Sequence, residues 1–230
     1  MGTYGQFCPV AKALELLDER WTVLVIRELL SGSSHFNELR RGVPRMSPAL
    51  LAKRLQRLMR AGVVERYADG NRVVYRLTPA GEELRPVVDA MGTWGVRWIP
   101  ELGDEDLDPH LLMWDIHRNI DLEALPPGRS TLHFRFRGAP EHARQWWLVM
   151  SAAGVDVCDV DPGFPIVATV DAELRCLTRV WRGDIGWREA VFSGDLTVIG
   201  STQIRRAIPR WLKLSAFAVV PRREPAAHPA

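Results

Sequence analysis

Apolar residues recur at helical spacing in the first part of the chain. The runs CPVAKALELLDE and WTVLVIRELLSG repeat apolar residues at intervals of three and four, which predicts two helices. Gly32 and the serines after it end the second helix. HFNELRRG predicts a short third helix that ends at Gly42.

The next segment, RMSPALLAKRLQRLMRAG, predicts an amphipathic fourth helix. Ser47 can cap its N-terminus, and Pro48 suits the first helical position, where a backbone N–H would have no partner. Leu51, Leu55 and Leu58 follow the i, i+4, i+7 rule and form one stripe. This stripe predicts the side of the helix that packs on its own domain.

A hairpin and a long helix follow. VVERYA and RVVYRLT have strand-like composition, and DGN joins them as a tight turn. TPAGEELRPVVDAMGTWGVRW predicts one long helix, whose apolar side carries Leu84, Val87, Val88, Met91, Trp94 and Trp98. Helices, a turn, a further helix and a two-stranded hairpin together predict a winged helix-turn-helix.

The pattern changes at IPELGDEDLDP, where Pro, Gly and five carboxylates predict a linker at 99–107. Beyond it, TLHFRFR alternates strictly, and QWWLVMSA, VDVCDV, PIVATV and DLTVIG predict further strands. PHLLMWDIHRNI, DAELRCLTRVWRG and STQIRRAIPRWLK predict helices. The fold class is therefore α+β: a winged-helix domain at 1–98, an α+β domain with a mainly antiparallel sheet at 108–220 and a disordered tail at 221–230.

Charge is distributed unevenly along the chain. Residues 1–98 hold 15 basic and 10 acidic residues, a net of +5, whereas residues 99–230 hold 15 and 18, a net of −3. Between Leu39 and Val64 there are seven basic residues and no carboxylate. A solvated helix face normally mixes both signs, so this imbalance favours a surface that meets nucleic-acid phosphates.

The fourth helix is the predicted DNA-recognition helix, which is called the reading helix below. Lys53, Arg57 and Arg60 point away from the leucine stripe, beside small residues that would let the helix enter a major groove. Arg54, at the edge of both faces, is expected to grip phosphate, and Arg72 lies at the tip of the wing. The predicted DNA-binding residues are Arg40, Arg45, Ser47, Pro48, Ala49, Lys53, Arg54, Arg57, Arg60 and Arg72.

Composition excludes several other classes. The chain has 230 residues, of which 47% are hydrophobic, so it can bury a sizeable core. Three scattered cysteines indicate neither a disulfide framework nor a zinc site. No apolar run approaches the roughly 20 residues that cross a bilayer, and no secretory signal is present, so a cytoplasmic protein without membrane insertion is expected. The usual catalytic and phosphate-binding motifs are absent, so no enzyme and no cofactor or metal is expected.

The first part of the chain resembles the HxlR family of bacterial transcription regulators. The resemblance rests on the Cys-Pro start, IRELL, FNEL, LAKRLQRL and YRLTPAG, and it covers residues 7–98. It implies a homodimer that binds a two-fold DNA operator, with dimer contacts from the terminal helices. The expected interface is the apolar side of the long helix: Leu84, Val87, Val88, Met91, Trp94 and Trp98. Pro48 and Ala49 depart from the polar residues that are common at the start of the reading helix.

The second part resembles the sterol carrier protein type 2 family over about residues 106–218. Trp147 opens a Trp-x-Leu-like strand, and Gly194 and Gly200 frame GDLTVIG before the final helix. The resemblance implies an apolar tunnel and hence a hydrophobic small-molecule or lipid effector. The predicted ligand-binding residues are Phe134, Trp147, Phe164, Leu177, Trp181 and Trp211. Seven of the nine tryptophans lie at positions 98–230, although aromatic residues build cores as well as cavities.

Two further readings stay open. Cys8 matches the N-terminal cysteine that some members of the HxlR family use for redox sensing, and a helix start with Lys12 nearby would favour its thiolate. A half-buried structural cysteine is the simpler interpretation. A lipid carrier without regulatory DNA binding is the second alternative, and it predicts no salt-dependent association with DNA.

Overall fold

The computed structural model describes residues 3–99 and 101–222. The chain forms two compact units, Met1–Gly92 and Thr93–Ala230. The linker at 99–107 and the tail at 221–230 stay predictions, and residues 223–230 of that tail lie outside the described residues.

The N-terminal unit has the predicted order of helices and hairpin. Its elements are α1 (Pro9–Leu17), α2 (Thr22–Leu30), α3 (Phe36–Gly42), α4 (Pro48–Arg60), β1 (Val64–Asp69), β2 (Arg72–Leu77), α5 (Pro79–Glu82) and α6 (Arg85–Trp98), which runs on beyond the unit. The prediction of a single long helix after the hairpin is wrong, because α5 and α6 are separate. Pro86 explains the break, since it has no backbone N–H to donate to the preceding turn.

The leucine stripe of α4 packs into the N-terminal core, as predicted. Leu51, Leu55 and Leu58 are fully buried, and they pack with apolar residues of α2 and α3 such as Ile26 and Leu39. Burying a leucine side chain contributes about 2 kcal/mol, so this stripe fixes the orientation of the helix. The opposite face of α4 is therefore held toward the outside of the unit.

A buried carboxylate joins α2 to α3. Glu28 is fully buried and accepts hydrogen bonds from Arg27 Nη2 at 2.7 Å and from Ser33 Oγ at 3.3 Å. Arg27 Nη2 also donates to the Gly42 carbonyl at 2.8 Å. A Cβ on Gly42 would overlap the carboxylate of Glu28, so only glycine fits beside this ion pair.

Gly42→Ala is expected to destabilise the N-terminal unit by about 3 kcal/mol, because the methyl group must displace a buried, paired carboxylate. The measurement is thermal or urea unfolding followed by circular dichroism. Gly95→Ala in α6 is the matched control: its Cβ would meet nothing within 4 Å, so it should stabilise the helix by about 0.5–1 kcal/mol. Equal stability of Gly42→Ala and the unaltered chain would contradict the packing described here.

The C-terminal unit is a mixed α+β structure. Its main elements are α7 (Pro109–His117), β3 (Ser130–Arg137), β4 (Gln145–Ser151), β5 (Gly154–Cys158), β6 (Ile166–Glu173), α8 (Leu174–Arg182), α9 (Trp187–Phe192), β7 (Leu196–Gly200) and α10 (Thr202–Trp211). The strands form one sheet in the order β5-β4-β3-β6-β7. Only the β3–β6 pair in this sheet is parallel, so the predicted mainly antiparallel sheet is confirmed.

The alternation of β3 separates two faces of this sheet. Leu132, Phe134 and Phe136 are buried in the core, which also includes apolar residues of α7, α8 and α10. Arg135 and Arg137 lie on the other face, where they pair with carboxylates of β6. The sequence did not predict α9, because six residues are too few to show helical periodicity.

Candidate nucleic-acid interface and ligand site

The N-terminus of α4 is capped and exposed. Ser47 Oγ accepts a hydrogen bond from the backbone N–H of Leu50 at 3.3 Å, and Pro48 occupies the first helical position. Ser47, Pro48 and Ala49 are all exposed. The cap sets where the helix begins, and it leaves these three exposed residues at the N-terminal end of the predicted reading helix.

The exposed face of α4 combines small and basic residues. We define it by the five residues Ala49, Ala52, Lys53, Gln56 and Arg60, which are all exposed. At 100° per residue they fall on one stripe opposite the buried leucines. The small side chains allow close approach of a double helix, and the cations are long enough to reach bases or phosphates.

Two of the predicted DNA contacts are engaged within the protein. Arg54 is 9% exposed; its Nη1 lies 2.6 Å from Glu19 Oε2 and its Nε donates to the carbonyl of Arg20 at 3.1 Å. Arg57 pairs with Glu19 Oε1 and donates to the carbonyl of Glu15. The prediction that Arg57 faces outward without an acidic partner is therefore wrong, and the guanidinium of Arg54 is not presented for a phosphate.

The β1–β2 hairpin, which is the wing of the winged helix, is held beside the start of α3 by hydrogen bonds. Tyr75 N–H donates to the Ser34 carbonyl at 2.7 Å, and His35 Nδ1 lies 3.1 Å from the Val73 carbonyl oxygen. Burial would raise the pKa of Glu38, but backbone N–H groups of His35 and Ser34 donate to its carboxylate and hold that pKa below its ordinary value. These contacts fix the hairpin beside α3.

The tip of the wing carries a basic side chain. Asp69 pairs with Arg72 across the turn, and Gly70 takes the positive φ of 58° that a tight turn requires. Arg72 is exposed at this tip, and Arg40 and Arg45 are exposed at α3 and before α4. Eight of the ten predicted DNA contacts thus lie on the surface of the N-terminal unit: Arg40, Arg45, Ser47, Pro48, Ala49, Lys53, Arg60 and Arg72.

The predicted dimer residues of α6 divide into two groups. Leu84 and Val88 pack against the core of the N-terminal unit. Val87, Met91 and Trp94 are 45%, 54% and 58% exposed, and Trp98 is 47% exposed. The spacing 87, 91, 94, 98 places this second group on one helical stripe. Leu84 and Val88 therefore belong to the core and not to an outward-facing surface.

A helix, a turn, an exposed second helix and an adjoining hairpin make the N-terminal unit a winged helix-turn-helix, a class of DNA-binding structure. The model of the HxlR-like helix-turn-helix family matches residues 16–102. The chain belongs to this family and is a helix-turn-helix transcriptional regulator.

Several relatives align with about two-fifths of the chain. The HTH-type transcriptional regulator YvaP of Bacillus subtilis is 35% identical over 99 residues, which cover 41% of this chain and 92% of YvaP. The regulator sll1512 of Synechocystis is 36% identical over 100 residues, 42% of this chain and 74% of that protein. The solved structure of the reduced form of the transcriptional regulator YodB from B. subtilis is 32% identical, covers 42% of this chain and all of that chain, and has a TM-score of 0.37.

The C-terminal unit contains a small apolar cavity. Leu177 and Trp181 of α8 line it, together with Ile116 of α7 and Leu212, and its volume is about 160 Å³. Two of the six residues predicted to bind a ligand are therefore adjacent to the same cavity. A space of this size accepts a group about as large as a benzene ring.

The other predicted ligand residues do not meet at this cavity. Phe134 and Trp211 are buried in the core of the unit. Trp147 pairs with His133 in the β3–β4 register and stacks on its ring at 4.8 Å, so it lies on the sheet face opposite Phe134. Phe164 lies beneath the guanidinium of Arg129 at 4.0 Å. Of the six predicted ligand residues, the structure therefore places only Leu177 and Trp181 at this cavity.

Cys8 immediately precedes α1 and is half-buried, and its thiol is free. Residues 3–99 and 101–222 contain no group of three or more His, Cys, Asp and Glu side chains that could hold a metal ion. Within the same ranges, no helix is long and apolar enough to span a membrane.

Proposed function

We propose that this chain regulates transcription as a homodimer on a two-fold DNA operator, and that its C-terminal unit binds a hydrophobic effector. The observation that carries the proposal is the exposed face of α4, where Lys53 and Arg60 stand among small residues on a helix held rigidly by its leucine stripe. An effector changes operator affinity only through its different affinities for the DNA-competent and incompetent states.

The DNA contacts follow from the positions of the exposed residues. Ser47, Pro48 and Ala49 would enter the major groove first, because they lie at the N-terminus of the reading helix. Lys53 and Arg60 would reach base edges or phosphates, and Arg72 would meet the backbone or minor groove next to the wing. Arg54 and Arg57 instead hold α4 against the α1–α2 connection through Glu19.

The exposed stripe of α6 supports dimerisation. Val87, Met91 and Trp94 together present more apolar surface than isolated exposed side chains usually do. Val10 and Leu14 of α1 are also exposed apolar residues, and Phe7 before α1 is 98% exposed. A second copy of the chain would cover these surfaces and place two reading helices about 34 Å apart, one turn of DNA.

The sterol-carrier-like nature of the C-terminal unit is part of the proposal. A mainly antiparallel sheet with helices packed on its apolar face is consistent with a sterol-carrier-like fold. Leu177 and Trp181 beside the 160 Å³ cavity support a site for a hydrophobic ligand. That volume is below the 300–1,000 Å³ of typical ligand pockets, so the cavity would hold one apolar group of an effector.

A mobility shift on the DNA upstream of the chain's own gene tests the regulatory function. With about six phosphate contacts, affinity should fall roughly 1,000-fold between 50 and 200 mM salt, because bound cations are released from the DNA. Native mass spectrometry of the purified protein and repetition of the shift with extracted hydrophobic metabolites test the effector. A passive lipid carrier would show ligand but no salt-dependent shift, and that result would contradict the proposal.

A further inference from the structure

A basic groove lies at the edge of the C-terminal sheet. It opens between α9, β7 and α10 and has a volume of about 1250 Å³. Arg188 of α9 and Arg205, Arg206 and Arg210 of α10 line it, and all four side chains are exposed. This groove is larger than the 160 Å³ cavity described above.

The four arginines of the groove lack acidic partners among residues 3–99 and 101–222. Arg205 donates to Thr202 Oγ1 at 3.2 Å, and no described residue that lines the groove carries a carboxylate. Elsewhere in the unit, Arg137 and Arg182 pair with Glu173 and Asp184. Four unpaired guanidiniums repel one another, and they do so in a part of the chain whose net charge is negative. An anion in the groove would relieve this repulsion.

The walls of the same groove are apolar. Trp187, Val191, Phe192 and Leu196 contribute to them. Phe192 is 96% exposed and Val191 is 44% exposed, so these two neighbours form a contiguous exposed apolar surface in the groove. Apolar walls among four cations suit a molecule with both an apolar body and a negative charge, and they do not suit a free inorganic anion.

The groove adjoins the apolar cavity. Gly186, Trp187 and Pro209 line both spaces. An apolar group in the cavity and an anionic group beside the arginines could therefore belong to one molecule. Guanidinium groups bind carboxylate and phosphate oxygens through paired, charge-assisted hydrogen bonds, which favours those two head groups.

We propose that this groove is the effector site and that the effector is an anionic amphiphile, with a carboxylate or phosphate head and an apolar chain or ring. The inference rests on the proposed effector function of the C-terminal unit and adds the chemical class of the ligand. Arg206 and Arg210 hold the head group, while Trp187 and Phe192 contact the apolar body.

Isothermal titration of the full-length chain with dodecanoate, dodecyl phosphate and dodecanol, all below their aggregation limits, tests this assignment. The two anions should bind at least tenfold more tightly than the neutral alcohol. Arg206→Gln with Arg210→Gln should weaken dodecanoate about 100-fold and leave dodecanol unchanged, because only the charge-assisted bonds are lost. Phe192→Ser should weaken both ligands. Arg135→Gln is the matched control, since it removes a charge outside the groove and leaves Asp171 paired with Arg137.

The outcomes separate this inference from the proposed function. Two results would overturn the anionic site and leave the effector function standing. In the first, dodecanol and dodecanoate bind equally well. In the second, neither binds, but hydrophobic extracts still alter operator affinity. If no extract or amphiphile binds the chain or alters its operator affinity, the anionic site and the effector function are both contradicted. If the double arginine variant weakens operator binding without ligand and lowers its salt dependence, the arginines contact DNA phosphates, and the groove is not an effector site.

Discussion

Lys53→Glu combined with Arg60→Glu is expected to lower operator affinity about 1,000-fold or more at fixed salt. Each reversal removes a contact worth about 1–3 kcal/mol and sets a carboxylate against the phosphates. Both residues are exposed and neither belongs to the core, so the melting temperature should change little. Fluorescence anisotropy with labelled operator DNA measures the affinity, and circular dichroism measures the unfolding.

Arg57→Gln is the internal comparison for that double variant. Its guanidinium contacts Glu19 and the carbonyl of Glu15, so its loss should act mainly on stability and only weakly on DNA binding. The structure thus orders the basic residues of one helix by function. If Arg57→Gln reduced operator affinity as strongly as the double reversal without lowering stability, the partners of α4 would be assigned wrongly.

Periodicity predicted α4 well because its buried side depends on local spacing. Leu51, Leu55 and Leu58 follow one stripe, and Ser47 with Pro48 marks the helix start. The ion pairs of Arg54 and Arg57 could not be predicted from the same spacing. Their partner Glu19 lies more than thirty positions earlier, outside the charge pattern of the helix itself, and only the packing of the α1–α2 connection against α4 brings the groups together.

The C-terminal strands were likewise visible as alternation, but their contacts across the sheet were not. Phe134 and Trp147 are both bulky apolar residues in strands, and the β3–β4 register puts them on opposite faces. Register depends on which residues pair across strands, which a single strand pattern does not contain. The groove of Arg188, Arg205, Arg206 and Arg210 was missed for a similar reason, since it brings together two helices separated in sequence by β7.

The apolar residues of α6 show a different ambiguity. These apolar residues lie on more than one side of the helix. The sequence therefore did not distinguish Leu84 and Val88, which pack inward, from the residues that are exposed. Because Val88 contributes to the folded core, an acidic substitution there would test stability and association together. A test of dimerisation must therefore use the exposed stripe.

If the chain forms the proposed dimer, Val87→Asp combined with Met91→Asp is expected to give monomers and to reduce operator affinity about 100-fold or more. Burying two carboxylates in an apolar seam without partners costs several kcal/mol, whereas the same groups remain hydrated in the monomer. Once the subunits separate, the second half-site no longer benefits from the high effective concentration that a linked pair provides. Sedimentation velocity and anisotropy on full and half operators measure the two effects.

Ala80→Asp provides the control, because it adds a carboxylate at an exposed position of α5, away from the α6 stripe. It should leave both the sedimentation coefficient and the operator affinity unchanged. Binding to a half operator distinguishes a loss of dimerisation from a loss of DNA recognition. The double variant should bind the half operator as the unaltered chain does, since the exposed face of α4 is intact. Dimers that persist in the double variant would place the seam elsewhere, with the exposed residues of α1 as the next surface to substitute.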